Sequence, residues 1–583
     1  MPVLDWIGKK AVVNHHREVP YRLIHCDGEL SAGDPDSGNL LVQGDNLEAL
    51  KALLPYYAGK VKCIYIDPPY NTGSEGWVYN DNVSSPEIKA WLGRVVGKEA
   101  EDLSRHDKWL CMMYPRLQLL RKFLREDGVM FASIDHNEAN VFGLLLNEVF
   151  AGYEIIAIPV VNNMKGRNDR EYIATCHEYM YLVAKKGFES FGLPLSQKQR
   201  AEFKHIDGDG YAYASRDLRK RGGADTRELR EGLWFPIYKD PESEKLSLEP
   251  NEGWIAIYPM KKDGTEGCWR WGKTRVEKYI DTLIPSFARA SNKWNVSYRV
   301  YLDAEREEAL YEDDPDDFSE DYDDETEEVI ERTTKPKSFW WGPEISTDNA
   351  GKALKDVFDG QKVFDYTKPV PLIQRILHMI GKDDALILDS FAGSGTTGHA
   401  VLDMNKQDGG KRRFILVEMD EDIAQNISAE RLKRVATGYN QGGNPEKPVE
   451  GLGGGFRYCR LGTPLFNEFG DIDTGVTFPD LAAHVFFSET GSPLPQKVDG
   501  STSLIGQHKD KLVYLLFSAA EQGFAREAAG NVLTPDALAE LSPIPDDFEG
   551  NRVVFAEGCT VMSDRLKAER VVFKQIPYQI EGN

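Results

Sequence analysis

The sequence predicts a doubly wound α/β fold that is interrupted by a long insertion. Apolar runs of strand length alternate with amphipathic helical runs over residues 1–190, and the same alternation returns from residue 363. Between these two stretches the alternation is lost. Two of the predicted strands end in short motifs rich in proline, glycine and carboxylates, and the carboxyl ends of strands form the ligand-binding edge of such a sheet.

The first stretch has the clearer pattern. Its predicted strands lie at 40–43, 61–66, 129–134, 154–161 and 179–184, and its predicted helices at 47–54, 104–126 and 139–150. The helix at 104–126 is the best defined, because Trp109, Met113, Leu117, Leu120 and Leu124 recur at spacings of three and four residues. This order of elements is typical of a parallel sheet covered by helices.

The second stretch continues the same fold. Helices are predicted at 371–380, 396–404 and 422–435, and strands at 385–388 and 413–417. Glycines at 442–443 and 451–455 predict a linker. A small α/β unit follows, with strands at 512–517, 552–555 and 570–573 and helices at 535–541 and 561–568. We therefore predict a split α/β domain (1–190 and 346–440), an insertion (191–345) and a C-terminal domain (441–583) for oligomerisation or partner docking.

Composition narrows the class of protein. The 583 residues are enough for roughly two to four domains. The seven cysteines are scattered without a Cys-x-x-Cys pair, which argues against a zinc site and a disulfide framework and indicates a reducing cytosol. The N-terminus has no apolar signal core, and the apolar run near 155–161 is too short to cross a bilayer. We expect a cytoplasmic protein without membrane contact.

The strand at 61–66 ends in Asp67-Pro68-Pro69-Tyr70. This motif offers a carboxylate, fixed carbonyls and an aromatic ring at one point of the sheet edge. Hydrogen bonds from the exocyclic amine of a flat base to Asp67 and to the Pro68 carbonyl would move the nitrogen towards tetrahedral geometry. The prolines keep the carbonyls aimed, and Tyr70 can stack on an extruded base. A simple turn is the structural alternative.

A glycine loop follows the strand at 385–388 and opens the next helix. It contains Asp389, Phe391, Ala392, Gly393, Ser394, Gly395 and Thr396. Glycines allow a tight turn and a close approach of the backbone to a ligand. The loop holds no lysine, which argues against a Walker-type phosphate site. The next strand ends in Glu418, a carboxylate that can accept both ribose hydroxyls. Together these features suit S-adenosyl-L-methionine.

The extended motif Asp67-Pro68-Pro69-Tyr70-Asn71-Thr72-Gly73 resembles the modification (Mod) subunits of type III restriction–modification systems. Stretches at 44–50, 127–135 and 177–179 agree with this resemblance, which covers 40–190 and 335–435. The catalytic motif precedes the glycine loop, as in β-class DNA amino-methyltransferases. The resemblance implies a Rossmann-like S-adenosylmethionine-dependent methyltransferase with an inserted target-recognition domain and a small C-terminal α/β domain.

The resemblance also assigns residues to the cofactor. It implies that Phe364 and the Lys368-Pro369 pair help to hold it, although Thr367 stands where proline is usual. It places Asp45 near the cofactor's adenine, with a helix N-cap as an equal alternative. Asp135 and the His177-Glu178 pair either shape the base pocket or make hydrogen bonds at strand ends.

The insertion mixes cations and aromatic residues and is the expected DNA-reading region. The predicted DNA contacts are Asn71, Lys165, Arg167, Arg219, Arg221, Arg227, Trp269, Arg270, Trp271, Lys273 and Arg275. Arginine can read guanine edges and clamp phosphates, and tryptophan can wedge where a base has left the stack. Each cluster taken alone is more often a packed or solvated face, and the clusters point to DNA recognition only as a group placed between the two motifs.

The net charge of −24 does not exclude DNA binding. Residues 303–331 hold 17 acidic residues and one basic residue, Arg306, which leaves −8 for the rest of the chain. The acidic run is predicted to be a solvated insertion; a lid that screens non-specific DNA and a docking site for a basic partner are the alternatives.

The motifs and the resemblance together predict a site-specific DNA adenine methyltransferase in a restriction–modification or phage-defence system. Asp67 favours adenine, because related cytosine-amino enzymes more often have serine there, so a cytosine N(4) methyltransferase is the nearest alternative. A protein glutamine methyltransferase has a related tetrapeptide with Asn first, but the long inserted recognition region argues against it. A DNA-specificity subunit that guides a nuclease or helicase is a further alternative. Expected partners are double-stranded DNA, a second copy in a homodimer and a restriction, helicase or other defence-system subunit.

Overall fold

The computed structural model describes residues 4–34, 36–71, 94–95, 104–166, 172–289, 292–311, 331–382, 384–467, 471–518, 530–541, 548 and 550–576. The chain divides into two compact units. Unit 1 comprises Met1–Phe191 and Lys337–Asn583, and unit 2 comprises Gly192–Pro336. Unit 2 corresponds to the insertion expected at 191–345, but it ends at Pro336, earlier than the expected residue 345.

Within the described residues, unit 1 contains a nine-stranded sheet. Its strands in chain order are β1 (Arg22–Gly33), β2 (Leu40–Gln43), β3 (Val61–Ile66), β4 (Leu124–Ile134), β5 (Glu154–Val161), β6 (His177–Ala184), β7 (Leu386–Asp389), β8 (Arg413–Glu418) and β9 (Gly455–Pro464). Their order across the sheet is β1-β9-β2-β8-β7-β3-β4-β6-β5. The strands from β9 to β4 are parallel, whereas β1, β6 and β5 pair antiparallel.

The helices of unit 1 pack against this sheet, against one another or, near the C-terminus, against the smaller sheet described below. They are Lys9–Val12, His15–Glu18, Asn46–Tyr57, Arg105–Phe123, Ala139–Val149, Thr347–Val357, Val370–Met379, Thr396–Asp408, Glu421–Ile423, Glu430–Thr437, Phe478–Thr490, Pro535–Ala539 and Ser563–Ala568, with a π-turn at Ala424–Ala429. All six residues of β3 are buried. The helix Arg105–Phe123 begins with a capping box between Ser104 and Asp107.

The centre of the sheet is a topological switch point. The chain leaves β3 towards β4 on one side, and it leaves β7 towards β8 on the other, so a crevice opens between the carboxyl ends of β3 and β7. Because β6 runs antiparallel, its first residues lie at the same edge. The edge therefore collects Asp67, Asp389 and Glu418 from strand ends and Glu178 from the start of β6.

The doubly wound fold and the strand at 61–66 are confirmed. Two expectations need correction. The boundary at 441 is too early, because β9 belongs to the central sheet, between β1 and β2, and not to a separate C-terminal domain. The scattered cysteines did not predict that Cys26 and Cys459 would face each other across β1 and β9, where they form a disulfide.

The chain beyond β9 builds a smaller sheet in unit 1. Its strands are, in spatial order, Leu504–His508, Lys511–Leu515, Asn551–Ala556 and Val571–Gln575. Apart from the first, antiparallel pair, its main strands are parallel. Two separate two-stranded sheets pair Val532–Leu533 with Gly558–Cys559 and, before β9, Gly438–Asn440 with Pro448–Glu450. No helix in the described part of the chain is long and apolar enough to cross a membrane.

Unit 2 is mostly β. One antiparallel sheet has the order Leu283–Ala288, Lys293–Tyr301, Ala212–Asp217 and His205–Ile206; a second contains Leu246–Ser247, Ile237–Lys239 and Ile255–Ile257; and Leu193–Pro194 pairs with Thr333–Thr334. Its helices are Gln197–Arg200, Lys273–Lys278 and Ala304–Tyr311. An apolar core that includes Trp269 and Trp271 holds these elements together.

Candidate active site

The tetrapeptide after β3 contains two proline carbonyls, of which the second is hydrogen-bonded. Trp109, in the helix Arg105–Phe123, donates from Nε1 to the Pro69 carbonyl at 2.7 Å. In the part of the chain that the structure describes, no hydrogen bond reaches the Pro68 carbonyl. The carbonyl that the sequence assigns to the target amine is thus available next to Asp67.

Lys368 links the tetrapeptide to β6. Its ammonium lies 3.3 Å from Asp67 Oδ1 and 3.0 Å from each carboxylate oxygen of Glu178. It also donates to the Tyr70 hydroxyl, which itself donates to Glu178 Oε2 at 3.1 Å. The side chains of Lys368, Asp67 and Glu178 are only 10%, 14% and 5% exposed. We call these four residues, Asp67, Tyr70, Glu178 and Lys368, the carboxylate–lysine cluster.

Burial and charge set the protonation states in this cluster. Burial raises the pKa of Asp67 to about 6, although the ammonium of Lys368 works against that rise. Burial disfavours the charged form of Lys368, but Asp67 and Glu178 outweigh it, so the pKa of Lys368 is raised. Burial, reinforced by both carboxylates, raises the pKa of Tyr70 well above its usual range. At neutral pH the cluster therefore contains an ionised Asp67, a cationic Lys368 and a neutral Tyr70.

The glycine loop is tightly organised. Gly393 and Gly395 have φ angles of 50° and 75°, which glycine adopts without strain. Asp389 accepts from the Phe391 amide at 3.0 Å and from the Thr397 hydroxyl at 2.6 Å, and these bonds close the turn. Burial raises the pKa of Asp389 to about 7. A side chain at Gly395 would be strained by its φ of 75°, and its Cβ would lie 3.4 Å from the Ser428 carbonyl oxygen.

Glu418 lies beside this loop at the end of β8 and is buried. Its Oε2 accepts from the Gly393 amide at 2.8 Å, and its Oε1 accepts from the Asp420 amide at 2.9 Å. Each carboxylate oxygen can accept more than one hydrogen bond. The position and chemistry of Glu418 thus fit the ribose-binding role that the sequence predicts.

Arg431 is a residue of the cofactor edge that the sequence did not single out. Its Nη1 donates to the Ser394 hydroxyl and the Thr396 hydroxyl, both at 2.9 Å, and to the Ser394 carbonyl at 3.1 Å. The Thr367 hydroxyl lies 2.7 Å from that of Ser394. Burial lowers the pKa of Arg431 to about 9. Arg431 therefore ties the segment before Lys368 to the glycine loop. Its position inside a helical pattern offered no local signal.

Asp45 is a helix N-cap, which confirms one of the two alternatives for it. Its Oδ1 accepts from the amides of Leu47 and Glu48 at 2.9 and 3.1 Å. Its Oδ2 accepts from the buried Arg116 at 3.0 Å. A contact of Asp45 with the cofactor remains a prediction.

The other residues expected at the cofactor occupy less distinctive positions. Pro369 is the N-cap of the helix Val370–Met379. Phe391 packs against the central core, the Ala392 amide donates to the Val417 carbonyl at 3.0 Å, and Phe364 is half-buried. The Lys368 ammonium lies at the catalytic tetrapeptide, while its carbonyl accepts from the Thr396 hydroxyl of the glycine loop at 3.3 Å, so a contact of Lys368 with the cofactor remains a prediction.

Asn71 needs correction as a DNA contact. It is 4% exposed, and its Nδ2 donates to Glu138 and to the Arg105 carbonyl. Glu138 also lies 2.7 Å from His106 Nδ1. Asn71 therefore anchors the end of the catalytic motif. Asp135 accepts from Asn137 at 2.8 and 2.7 Å, which makes it a strand-end hydrogen bonder, whereas Glu178 is part of the site.

The two tryptophans expected to wedge into DNA are also corrected. Trp269 and Trp271 are 1% and 3% exposed and belong to the core of unit 2. Trp269 donates from Nε1 to the Phe235 carbonyl at 2.8 Å, and Trp271 packs on Tyr298 at 4.8 Å between ring centroids. Local composition could not separate a buried tryptophan from an exposed one.

The cations expected at DNA are mostly at the surface. Arg221 pairs with Asp217 at 2.8 Å and Arg227 with Glu266 at 3.0 Å, whereas Arg219 is 3.9 Å from Asp217. Arg270 and Lys273 are exposed, and Arg275 lies 4.6 Å from the Trp271 ring centre. In unit 1, Lys165 is 3.6 Å from Asp348. Arg167 lies outside the described residues.

A doubly wound sheet with an acceptor tetrapeptide at one strand end and a glycine loop at the next defines the class of DNA methylases. The chain belongs to the N6_N4_Mtase DNA methylase family, which matches residues 61–430.

Its relatives include the type III restriction-modification enzyme EcoPI Mod subunit of Escherichia phage P1, which is 36% identical over 445 residues. This match covers 73% of the chain and 65% of that subunit. The StyLTI Mod subunit of Salmonella typhimurium strain LT2 is 28% identical over 528 residues, with 86% and 72% covered. A solved structure of M1.HpyAVI with SAM is 12% identical and covers 67% of this chain and 98% of that one, at a TM-score of 0.27, too loose to support a conclusion.

Proposed function

We propose that this protein is a site-specific DNA adenine methyltransferase that uses S-adenosyl-L-methionine. The observation that carries the proposal is the acceptor pair after β3. Asp67 and Pro68 are consecutive residues, and Trp109 occupies the Pro69 carbonyl, whereas no hydrogen bond within the described residues reaches the Pro68 carbonyl. Two acceptors in this arrangement suit the two hydrogens of an exocyclic amine.

The glycine loop and Glu418 fit the cofactor. The bare backbone at Gly393 and Gly395 allows close approach of its methionine part, and Glu418 offers carboxylate lone pairs to ribose hydroxyls. When bound, S-adenosyl-L-methionine supplies an electrophilic methyl group on a positively charged sulfur. Asp389 and Arg431 hold the loop in shape.

The residues of the chain orient and activate the amine. Asp67 and the Pro68 carbonyl accept its two hydrogens, which directs the nitrogen lone pair away from the ring plane. The nitrogen gains a methyl group and loses one proton, and Asp67 is the base nearest to it. The Tyr70 ring can stack on the extruded base, while Lys368 and Glu178 hold the Tyr70 hydroxyl.

The partners of the chain are proposed on the same basis. The relatives are named Mod subunits of type III restriction-modification enzymes, which supports a role in DNA modification together with a restriction or helicase subunit. Unit 2 is proposed to recognise the target sequence through its exposed cations. We also propose a cytoplasmic homodimer, with the segment after β9 as a docking element.

The test is methyl transfer from labelled S-adenosyl-L-methionine to unmethylated duplex DNA, followed by nucleoside analysis. We expect N(6)-methyladenine in one sequence motif with the wild type, and none with Asp67→Ala. Asp564→Ala, an exposed aspartate near the C-terminus, is the control and should retain activity. N(4)-methylcytosine would replace the adenine assignment, since the family description spans both amines. Sequence-specific DNA binding without transfer would favour a specificity subunit.

A further inference from the structure

We propose that Glu178 is a positioning residue that draws the Lys368 ammonium away from Asp67 and so keeps the Asp67 carboxylate open to the target amine. This inference deepens the proposed function and rests on it. Neither Glu178 nor Lys368 would touch the reacting nitrogen. Both would act through Asp67.

The geometry shows two carboxylates in competition for one cation. The Lys368 ammonium lies 3.0 Å from both oxygens of Glu178 but 3.3 Å from only one oxygen of Asp67. An ammonium has three donors. Its bonds to Glu178 and Tyr70 use the shorter contacts and leave Asp67 with the longest. The Lys368 ammonium therefore interacts more closely with Glu178 than with Asp67.

Removal of Glu178 would change that balance. Lys368 would keep Asp67 as its carboxylate partner in the cluster, and charge-assisted bonds in a buried site are short and strong. The cluster would also change from two carboxylates and one ammonium to one of each. Asp67 would then be bound more tightly by the ammonium and would be a weaker acceptor for the amine.

Removal of Lys368 would have the opposite effect. Two buried carboxylates would then face each other without the cation between them, and like charges at close range favour protonation of one of them. The remaining charged or titratable groups that face Asp67 are Tyr70, Tyr65 and Asp389. Tyr65 is a phenol with a pKa well above its usual range because it is buried. None of the three can replace the cation.

The two substitutions should therefore shift the titration of Asp67 in opposite directions. Glu178 raises the pKa of Asp67 and Lys368 lowers it. Glu178→Gln should lower that pKa, and Lys368→Met should raise it, each by about one unit. Because methyl transfer needs ionised Asp67, the acid limb of the pH–rate profile should move the same way. At neutral pH the Glu178→Gln rate should still fall about tenfold, because Asp67 is held by Lys368.

The first experiment titrates Asp67 without requiring activity. Infrared spectra of protein labelled with ¹³C-aspartate are recorded from pH 4 to 9, and the Asp67 band is identified by its loss in Asp67→Asn. Wild type, Glu178→Gln and Lys368→Met are compared. The control is Glu489→Gln, because Glu489 is another buried glutamate that bridges two lysines, Lys511 and Lys574, each at 2.6 Å. The control should leave the Asp67 titration unchanged.

The second experiment measures single-turnover methylation of DNA over the same pH range. Cofactor affinity is measured by calorimetry for each variant, so that a loss of binding is separated from a loss of rate. Glu178→Asp keeps the charge and should retain the wild-type profile. If Glu178→Gln does not fold, Glu178→Met is the second variant that removes the charge.

Opposite shifts of the Asp67 titration and of the acid limb would support the inference. Shifts in the same direction, or none, would overturn it even if the enzyme methylates DNA. Opposite shifts in the infrared titration without any methylation of DNA would support the effect of Glu178 on the Lys368–Asp67 contact and would refute the proposed function.

Discussion

The indole N–H of Trp109 donates a 2.7 Å hydrogen bond to the carbonyl of Pro69. Trp109 is buried and packs edge-on against Phe142, with 5.4 Å between ring centroids, so the donor cannot easily move. This bond selects between two adjacent proline carbonyls. It satisfies the second one and leaves the first, that of Pro68, for a ligand.

Trp109→Phe should therefore impair catalysis more than folding. Loss of the N–H leaves the Pro69 carbonyl without its donor, which costs about 1–3 kcal/mol of stability, and it frees the tetrapeptide to shift. Because misplacement of reacting groups is costly, we expect kcat to fall about tenfold or more with a smaller change in KM. Steady-state methylation and thermal unfolding check this.

Trp6→Phe is the matched control for that substitution. Trp6 is another buried tryptophan, whose Nε1 lies 3.3 Å from Cys111 Sγ. The Trp6→Phe substitution should lower the melting temperature without a specific loss of kcat. Equal losses of kcat in both variants would mean that Trp109 acts only through general stability.

The pH dependence of methylation should report Asp67. Burial raises the pKa of Asp67 to about 6, and the ionised form is the acceptor. Activity should therefore rise with pH, reach half of its plateau near pH 6 and stay level above pH 7. Single-turnover rates between pH 5 and 8.5 measure this limb. A flat profile across that range would show that Asp67 is already ionised at pH 5 or is not required.

The sequence predicted the parts of the site that follow from local runs. β3 and β8 are continuous apolar runs that end in carboxylates, so Asp67 and Glu418 could be placed at one sheet edge before any contact was known. β1 and β9 could not be found in this way. They pair with each other from opposite ends of the chain, and their polar, glycine-containing sequences resemble linkers more than strands.

The side-chain partners in the site were also harder to predict, because they come from segments that are distant in the sequence. Glu178 meets Lys368 only because the antiparallel β6 starts at the edge where β3 ends, a relationship set by strand order. Asn71 adjoins the catalytic motif in sequence, but the fold turns it towards Glu138 in the interior. Spacing indicates which residues share an edge, whereas burial and pairing depend on contacts between distant segments.

Asp389 should make the folded protein less stable as the pH rises. Burial raises its pKa to about 7, above the value of an unfolded chain, so the folded state binds the extra proton. The stability of wild type relative to Asp389→Asn should therefore be greatest below about pH 4 and should fall as the pH passes through about 7. Each unit of pKa difference corresponds to about 1.4 kcal/mol. Urea unfolding between pH 4 and 8.5 measures the difference.

Asp127→Asn is the control for that titration. Burial raises the pKa of Asp127, but the contacts with Lys62 and Arg125 outweigh burial and lower it below its usual value. Its contribution is present above the unfolded pKa, so the Asp127→Asn difference should be constant between pH 5 and 8.5. A constant difference for Asp389→Asn over that range as well would refute the raised pKa.

Arg431→Met should weaken cofactor binding. Arg431 donates to Ser394 and Thr396 of the glycine loop, and its removal leaves these hydroxyls and the Ser394 carbonyl without their cationic donor. A looser loop must be ordered again when the cofactor binds, so we expect the Kd for S-adenosyl-L-methionine to rise about tenfold, which corresponds to about 1.4 kcal/mol. Calorimetry measures this without DNA.

Arg412→Met is the control, because Arg412 is equally buried but pairs with Asp408 at 2.8 Å, away from the loop. It should cost stability without changing the Kd. Equal losses of affinity in both variants would show that Arg431 supports the fold in general and has no particular effect on the glycine loop.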